Sequence, residues 1–133
     1  MNGAGARLPL SFLSSPMHQQ GQSSMSKYFP DSNDYGHHTI FGNVPVKTYA
    51  GEQIQLSYVE MPPDGVVDWH SHINEQMGLV ITGKALFQID DEERILGPGD
   101  MYRIPGGIRH RVTPVEAPTK IIDVFYPVRD EYR

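Results

Sequence analysis

Glycine and proline interrupt this chain too often for it to build helices. From Tyr28 onward no segment offers ten residues of helical periodicity free of both. Turn signals recur instead at residues 62–65 (PPDG), Gly83, Asp90-Asp91, residues 97–99 (GPG), residues 105–107 (PGG), Pro114 and Pro118. These are residue types that set or tolerate the backbone angles of tight turns. Between the turns the sequence alternates with period two. Ile54, Leu56 and Tyr58 share one face of EQIQLSYVEM, Ala85, Phe87 and Ile89 oppose Leu86 and Gln88 in KALFQID, and KIIDVFYP is a third such run. Short alternating strands about 8–12 residues apart read as an all-β sandwich or barrel.

Residues 1–27 are rich in Gly, Ser, Gln and Pro and carry no periodicity. They read as a flexible N-terminal arm, or as a start placed ahead of Met17 or Met25. Residues 28–133 then form one domain, long enough to bury a core without disulfides. The net charge of −5 argues against nucleic acid as a partner, which calls for a basic patch. No apolar run approaches the roughly 18 residues of a membrane span. The start, MNGAGARLPLSFLSS, holds only a proline-broken apolar patch, too weak for a signal peptide. The chain has no cysteine, so it has no disulfide, thiolate metal site or cysteine nucleophile, a composition that fits the cytoplasm. His18, His37 and His38 read as lone surface histidines.

Ligand-type residues concentrate in DWHSHINEQ, residues 68–76. On a strand, side chains two apart share a face. His70 and His72 therefore point one way, and Trp69 and Ser71 the other. Gln76 has the histidines' parity and Glu75 the opposite, unless Ile73-Asn74 forms a turn that resets the count. A second segment, GDMYRIPGGIRH at residues 99–110, ends in another histidine. Its Pro105-Gly106-Gly107 can turn the chain sharply, which starts the next strand at His110 and brings it back to the first pair.

Together these segments resemble the paired motifs of the cupin superfamily. The first runs Gly65, His70-x-His72, Gln76 and Gly83, and the second Gly99, Pro105, Gly107 and His110, with fifteen residues between Gly83 and Gly99. Three departures stand out. Four residues separate Gly65 from His70 where the family has five, Gln76 replaces a common glutamate, and Pro114 replaces an asparagine. The resemblance implies a double-stranded β-helix, or jelly-roll, cupin barrel. Its mouth would hold one divalent metal on His70, His72, Gln76 and His110. Imidazole ligands favour Mn, Fe, Co, Ni or Zn over Ca or Mg. Neutral ligands leave the ion its full charge, which favours anionic substrates.

The ending IIDVFYPVRDEYR carries further information. An aspartate between Ile122 and Val124, sharing a face with Phe125, would be buried at a cost unless that face lines a polar cavity. This ending resembles the DVFxPxRxDF end of KdgF-type cupins of pectin and alginate degradation, as does RILGPGDMYRIPGGIRHRV. The resemblance puts Asp123, Phe125 and Arg129 at active-site positions. It implies conversion of a 4,5-unsaturated monouronate from its cyclic to its linear keto form. In that chemistry Arg129 would grip the substrate carboxylate, Asp123 would act as general acid/base, and Phe125 would wall the pocket. Arg103, Arg109 and Arg111 would add positive charge near the mouth. An Fe(II)-dependent cupin dioxygenase and a non-enzymatic small-molecule-binding cupin are the alternatives. A homodimer is expected, with the strand near residues 40–50 as a candidate edge for pairing.

Overall fold

The computed structural model describes residues 26–133. The chain divides into two compact units, Met1–Tyr35 and Gly36–Arg133. Except for Ser26 and Lys27, the expected arm of residues 1–27 lies outside the described residues. Residues 26–35 form local turns, with the Asp34 amide donating to the Asp31 carbonyl at 2.9 Å. The site belongs to the second unit.

That unit is built from eight strands: β1 (Gly36–Ile40), β2 (Val44–Ala50), β3 (Gln55–Met61), β4 (Val67–His70), β5 (Glu75–Ile89), β6 (Glu92–Leu96), β7 (Met101–Ile104) and β8 (His110–Tyr126). Among the described residues no α-helix occurs; a single 3-10 turn, Asp130–Tyr132, follows β8. The two long strands, β5 and β8, are the spine. They pair antiparallel from Glu75 against Tyr126 to Ile89 against His110, with register shifts between Val80 and Ala85. On one side of those shifts β8 carries β3, then β2 and β1, while β5 carries β7. On the other side β8 carries β4 and β5 carries β6. Two sheets thus share the same pair of bent strands. This is an all-β jelly roll, the double-stranded β-helix.

Alternation sets what lies inside. Val44 and Val46 on β2, Val59 and Met61 on β3, Val80, Ala85 and Phe87 on β5, Val112 and Ile121 on β8 and Leu96 on β6 form one buried cluster. Burying side chains of this size contributes about 1.5–3 kcal/mol each. The same inward columns change character along their length. Thr48 continues the β2 column, Gln55 and Ser57 the β3 column, Gln76 the β5 column, and His110 and Asp123 the β8 columns, and all six are buried. One end of the barrel interior is therefore apolar and the other polar.

Ile54, Leu56 and Tyr58 share a face as expected, and it is the outer one: Ile54 is 54% and Leu56 47% exposed. The inward face of β3 is the one that begins with the polar pair Gln55 and Ser57. One expectation changes: along β2 the candidate edge at residues 40–50 is not free, because β2 pairs with both β1 and β3, and among the described residues β1 lies at that end of the sheet.

Candidate functional site

The first histidine comes from a strand end and the second from a loop. β4 stops at His70, and His72 lies in the connection before β5. The two residues were expected on one strand, but the connection has to cross from β4, which pairs only with β8, to the start of β5. His110 opens β8 and stands directly opposite His70 across the strand pair. The Pro105-Gly106-Gly107 turn locks against the first motif. The Gly107 amide donates to the His72 carbonyl at 2.8 Å. At Gly106 a Cβ would sit 2.2 Å from the Ile73 carbonyl oxygen, so only glycine allows the two loops this approach. The second glycine motif thereby fixes the loop that carries His72.

The three imidazoles converge. Their ligand-type nitrogens all lie within 4.8 Å of one another, and the His70 and His110 ring centres are 4.2 Å apart. Each ring uses Nδ1 on a backbone carbonyl: His70 on Asp68 at 2.8 Å, His72 on Asn74 at 3.0 Å and His110 on Ile108 at 2.9 Å. A carbonyl only accepts, so each Nδ1 carries the proton and each Nε2 presents a lone pair. Burial holds the pKa of all three below the ordinary 6.5, that of His110 down to about 4. The rings are neutral at neutral pH and ready to coordinate.

Gln76 lies on β5, points inward and is buried, while Glu75 is exposed. The Gln76 Oε1 lies 3.0 Å from His72 Nε2. Two lone pairs facing each other at that distance repel unless a cation shares them. His110 Nε2 is buried and has no hydrogen-bond partner among the described residues. An orphaned buried acceptor is costly. Three free imidazole nitrogens and one amide oxygen around a common point fit a divalent metal.

The remaining expected site positions are placed by cross-strand register. One inward row reads Ser57, Asp123, Gly78 and Tyr102, and the next reads Gln55, Phe125, Gln76 and Ile104. Gly78 thus separates Asp123 from Tyr102. A Cβ there would sit 2.2 Å from the Tyr102 hydroxyl and 2.3 Å from the Asp123 carboxylate. Because glycine leaves the gap open, the Tyr102 hydroxyl donates to Asp123 Oδ1 across it. Burial raises the Asp123 pKa from 3.8 to about 6, against the opposing hydrogen bonds from Tyr102 and Gln76 and the positive charge of Arg129. Burial and the neighbouring Asp123 charge push the Tyr102 phenol well above its usual range, so it remains a donor.

Phe125 is buried and meets His72 edge-on at 5.5 Å. Arg129 follows β8, its guanidinium 5.2 Å from the Phe125 ring centre and 4.7 Å from that of Tyr132. Arg129 Nε is buried with no hydrogen-bond partner among the described residues. Asp123, Phe125, Arg129, Gln76, His70 and His110 all line one cavity, which continues down to the apolar core. Two of the other expected cations are engaged elsewhere. Arg109 stacks 4.0 Å over Trp69 and Arg111 pairs with Asp68 at 3.1 Å. Neither these two nor Arg103 lines the cavity, so among the described residues Arg129 is its arginine. Sequence reasoning passed over Tyr102, Gly78 and Gln55. A glycine inside a strand marks a close approach, and Gln55 with Ser57 marks a polar inward face.

A jelly roll with a three-histidine site at the polar end of its interior defines a metal-binding β-barrel class. The comparisons name it: the cupin domain family model matches residues 57–125, and the chain belongs to the cupin family. Among solved structures, KdgF from Halomonas sp. is similar with a TM-score of 0.68 and 24% identity, covering 75% of this chain and 94% of that one. An RmlC-like cupin from Shewanella frigidimarina has a TM-score of 0.69 and 19% identity, covering 81% and 97%. Bacillus subtilis oxalate decarboxylase has a TM-score of 0.66 and 18% identity over 75% of this chain but only 29% of its own. At these identities the likeness concerns the fold. Among the curated proteins none matches this chain.

Proposed function

We propose that this cupin is a metal-dependent enzyme that converts 4,5-unsaturated monouronates from the cyclic to the linear keto form. The observation that carries the reading is the meeting of Asp123, Phe125 and Arg129 beside the histidine cluster in one cavity. His70, His72, Gln76 and His110 are the proposed ligands. When bound, a divalent metal supplies Lewis-acid polarisation of a substrate oxygen. The chain's own residues do the rest. Arg129, whose Nε has no hydrogen-bond partner among the described residues and whose Nη2 reaches only the exposed Glu131, binds the substrate carboxylate through parallel hydrogen bonds. Phe125 sets the ring's position between His72 and Arg129. The reaction is an isomerisation: the hemiacetal hydroxyl loses a proton as its carbon parts from the ring oxygen. The former ring oxygen stays on C5 as an enol, and a proton is then added to C4 as C5 becomes a ketone. Asp123 is the group that takes and returns the proton, held for this by Tyr102.

The test is to mix freshly made 4,5-unsaturated galacturonate with metal-loaded protein and follow loss of its ultraviolet absorbance. Acceleration that needs metal and not dioxygen is the expected result. Dependence on dioxygen would instead make the protein an oxygenase. No acceleration by protein shown to hold its metal would leave a binding role.

We further propose a homodimer formed through the outer sheet face rather than a strand edge. Register lines up Leu56, Val124 and Met77 in one outer row and Tyr58, Ile122, Leu79 and Met101 in the next. Met77 is 52% and Met101 72% exposed, and a contiguous apolar patch of this kind marks an interaction surface. Light scattering should give twice the 15.0 kDa chain mass, and Leu56→Glu should return it to the monomer. A monomeric wild type would refute this arrangement.

A further inference from the structure

We propose that Gln55 is a positioning residue for the anion-binding guanidinium: it fastens the C-terminal segment, residues 127–133, so that Arg129 is held at the site. The inference rests on the reading of Arg129 as the substrate carboxylate's partner. Gln55 sits on β3 at 1% exposure. Both ends of its amide go to the backbone of one distant segment. Nε2 donates to the Tyr132 carbonyl at 2.9 Å, and Oε1 accepts the Arg129 amide at 2.8 Å. The Thr48 hydroxyl donates to the same Tyr132 carbonyl. At the segment's start, Asn74 Nδ2 donates to the Pro127 carbonyl at 2.6 Å. Asn74 is also the residue whose carbonyl holds His72. The wall that carries Arg129 and the loop that carries a histidine are thus tied together.

A buried glutamine is costly unless both ends of its amide are satisfied. If position 55 served only to close the barrel, an apolar side chain would suffice, as Ile104 does in the same inward row. The amide instead catches the N–H of the very residue whose side chain enters the cavity. The backbone of Arg129 is tethered while its guanidinium stays available. Nε has no partner among the described residues, and Nη2 reaches only the exposed Glu131, at 3.5 Å. The Phe125 and Tyr132 rings orient its plane. A guanidinium oriented before the ligand arrives loses less freedom on binding it.

The experiment is a double-mutant cycle between Gln55→Met and Arg129→Ala, read in metal-loaded full-length protein with the unsaturated uronate. Gln55→Met should raise KM by about tenfold, the size expected for one displaced charge-assisted contact. It should leave kcat and metal content near wild type. In the Arg129→Ala background the same change should have no further effect on KM. Hydrogen exchange at the Arg129 amide should accelerate in Gln55→Met, and less so in Thr48→Val, which removes one tether and serves if the first variant folds poorly. Unchanged exchange at that amide, or a KM penalty that persists in full without Arg129, would overturn the proposal. Failure of wild-type protein to turn over the uronate would overturn the reaction instead. The exchange measurement would then still decide the tether.

Discussion

Asp123→Asn should lower kcat by about 10³-fold, within the range a positioned acid/base group supplies, leave metal content unchanged, and make the metal-free protein more stable at pH 8. The last effect follows from burial. The carboxyl's pKa rises from 3.8 to about 6 in the folded protein. Between those values the native state holds a proton that the unfolded state has released, so stability falls as pH rises through the window. Above pH 6 the whole cost of a buried carboxylate is present, up to about 3 kcal/mol. An amide carries no such cost, and its oxygen still accepts from the Tyr102 hydroxyl. Thermal unfolding of chelated protein should therefore show the variant ahead at pH 8 and level with wild type near pH 4. The lowered histidine pKa values act in the opposite sense but are common to both proteins and cancel in the comparison. Unchanged turnover would remove Asp123 from the mechanism. A variant no more stable at pH 8 would show that the carboxylate's hydrogen bonds from Tyr102 and Gln76 offset its burial.

How much of this could be read before the fold was known depends on the distance along the chain between the interacting parts. The strands and turns are local, so alternation and the Gly/Pro breaks reveal them. The histidine cluster is nearly local: His70 and His72 are two residues apart, and a proline-glycine turn delivers His110 against His70. The face that β3 turns inward was not evident, because Ile54, Leu56 and Tyr58 are as apolar as a core stripe. Gln55 faces the interior only because the tail, more than seventy residues on, satisfies its amide. Tyr102 meets Asp123 because the register of β7 on β5 and of β5 on β8 sets both beside Gly78. No spacing in the sequence encodes that row; it exists only once three strands are aligned. The arginines show the same limit. Arg109 and Arg111 flank His110, yet each finds a partner on β4, Trp69 and Asp68, outside the cavity.

Removing the histidines one at a time gives the second large expected effect. His110→Ala should weaken divalent metal binding by more than the 10- to 100-fold typical of residues that merely support a ligand, while the barrel remains folded. The apolar cluster around Val46, Val59, Phe87 and Ile121 does not include His110, so most of the core is untouched. The variant also removes a buried nitrogen that has no partner among the described residues in the metal-free protein, which offsets part of the lost packing. His70→Ala should behave alike. Gln76→Ala should weaken the site less, since it removes an amide oxygen and keeps all three imidazoles, and Glu75→Ala, exposed on the other face of β5, should change nothing. Acidification provides an independent check. Protons compete with metal only as the imidazoles titrate, and burial lowers all three pKa values from 6.5, that of His110 to about 4. Wild-type protein should therefore release its metal at a lower pH than free histidines do. Elemental analysis after gel filtration measures every arm of this series. Full metal occupancy in His110→Ala would mean that the ion sits elsewhere. A loss in Glu75→Ala that matched Gln76→Ala would mean that the loop from Ser71 to Asn74 places the ligands differently in the metal-bound protein.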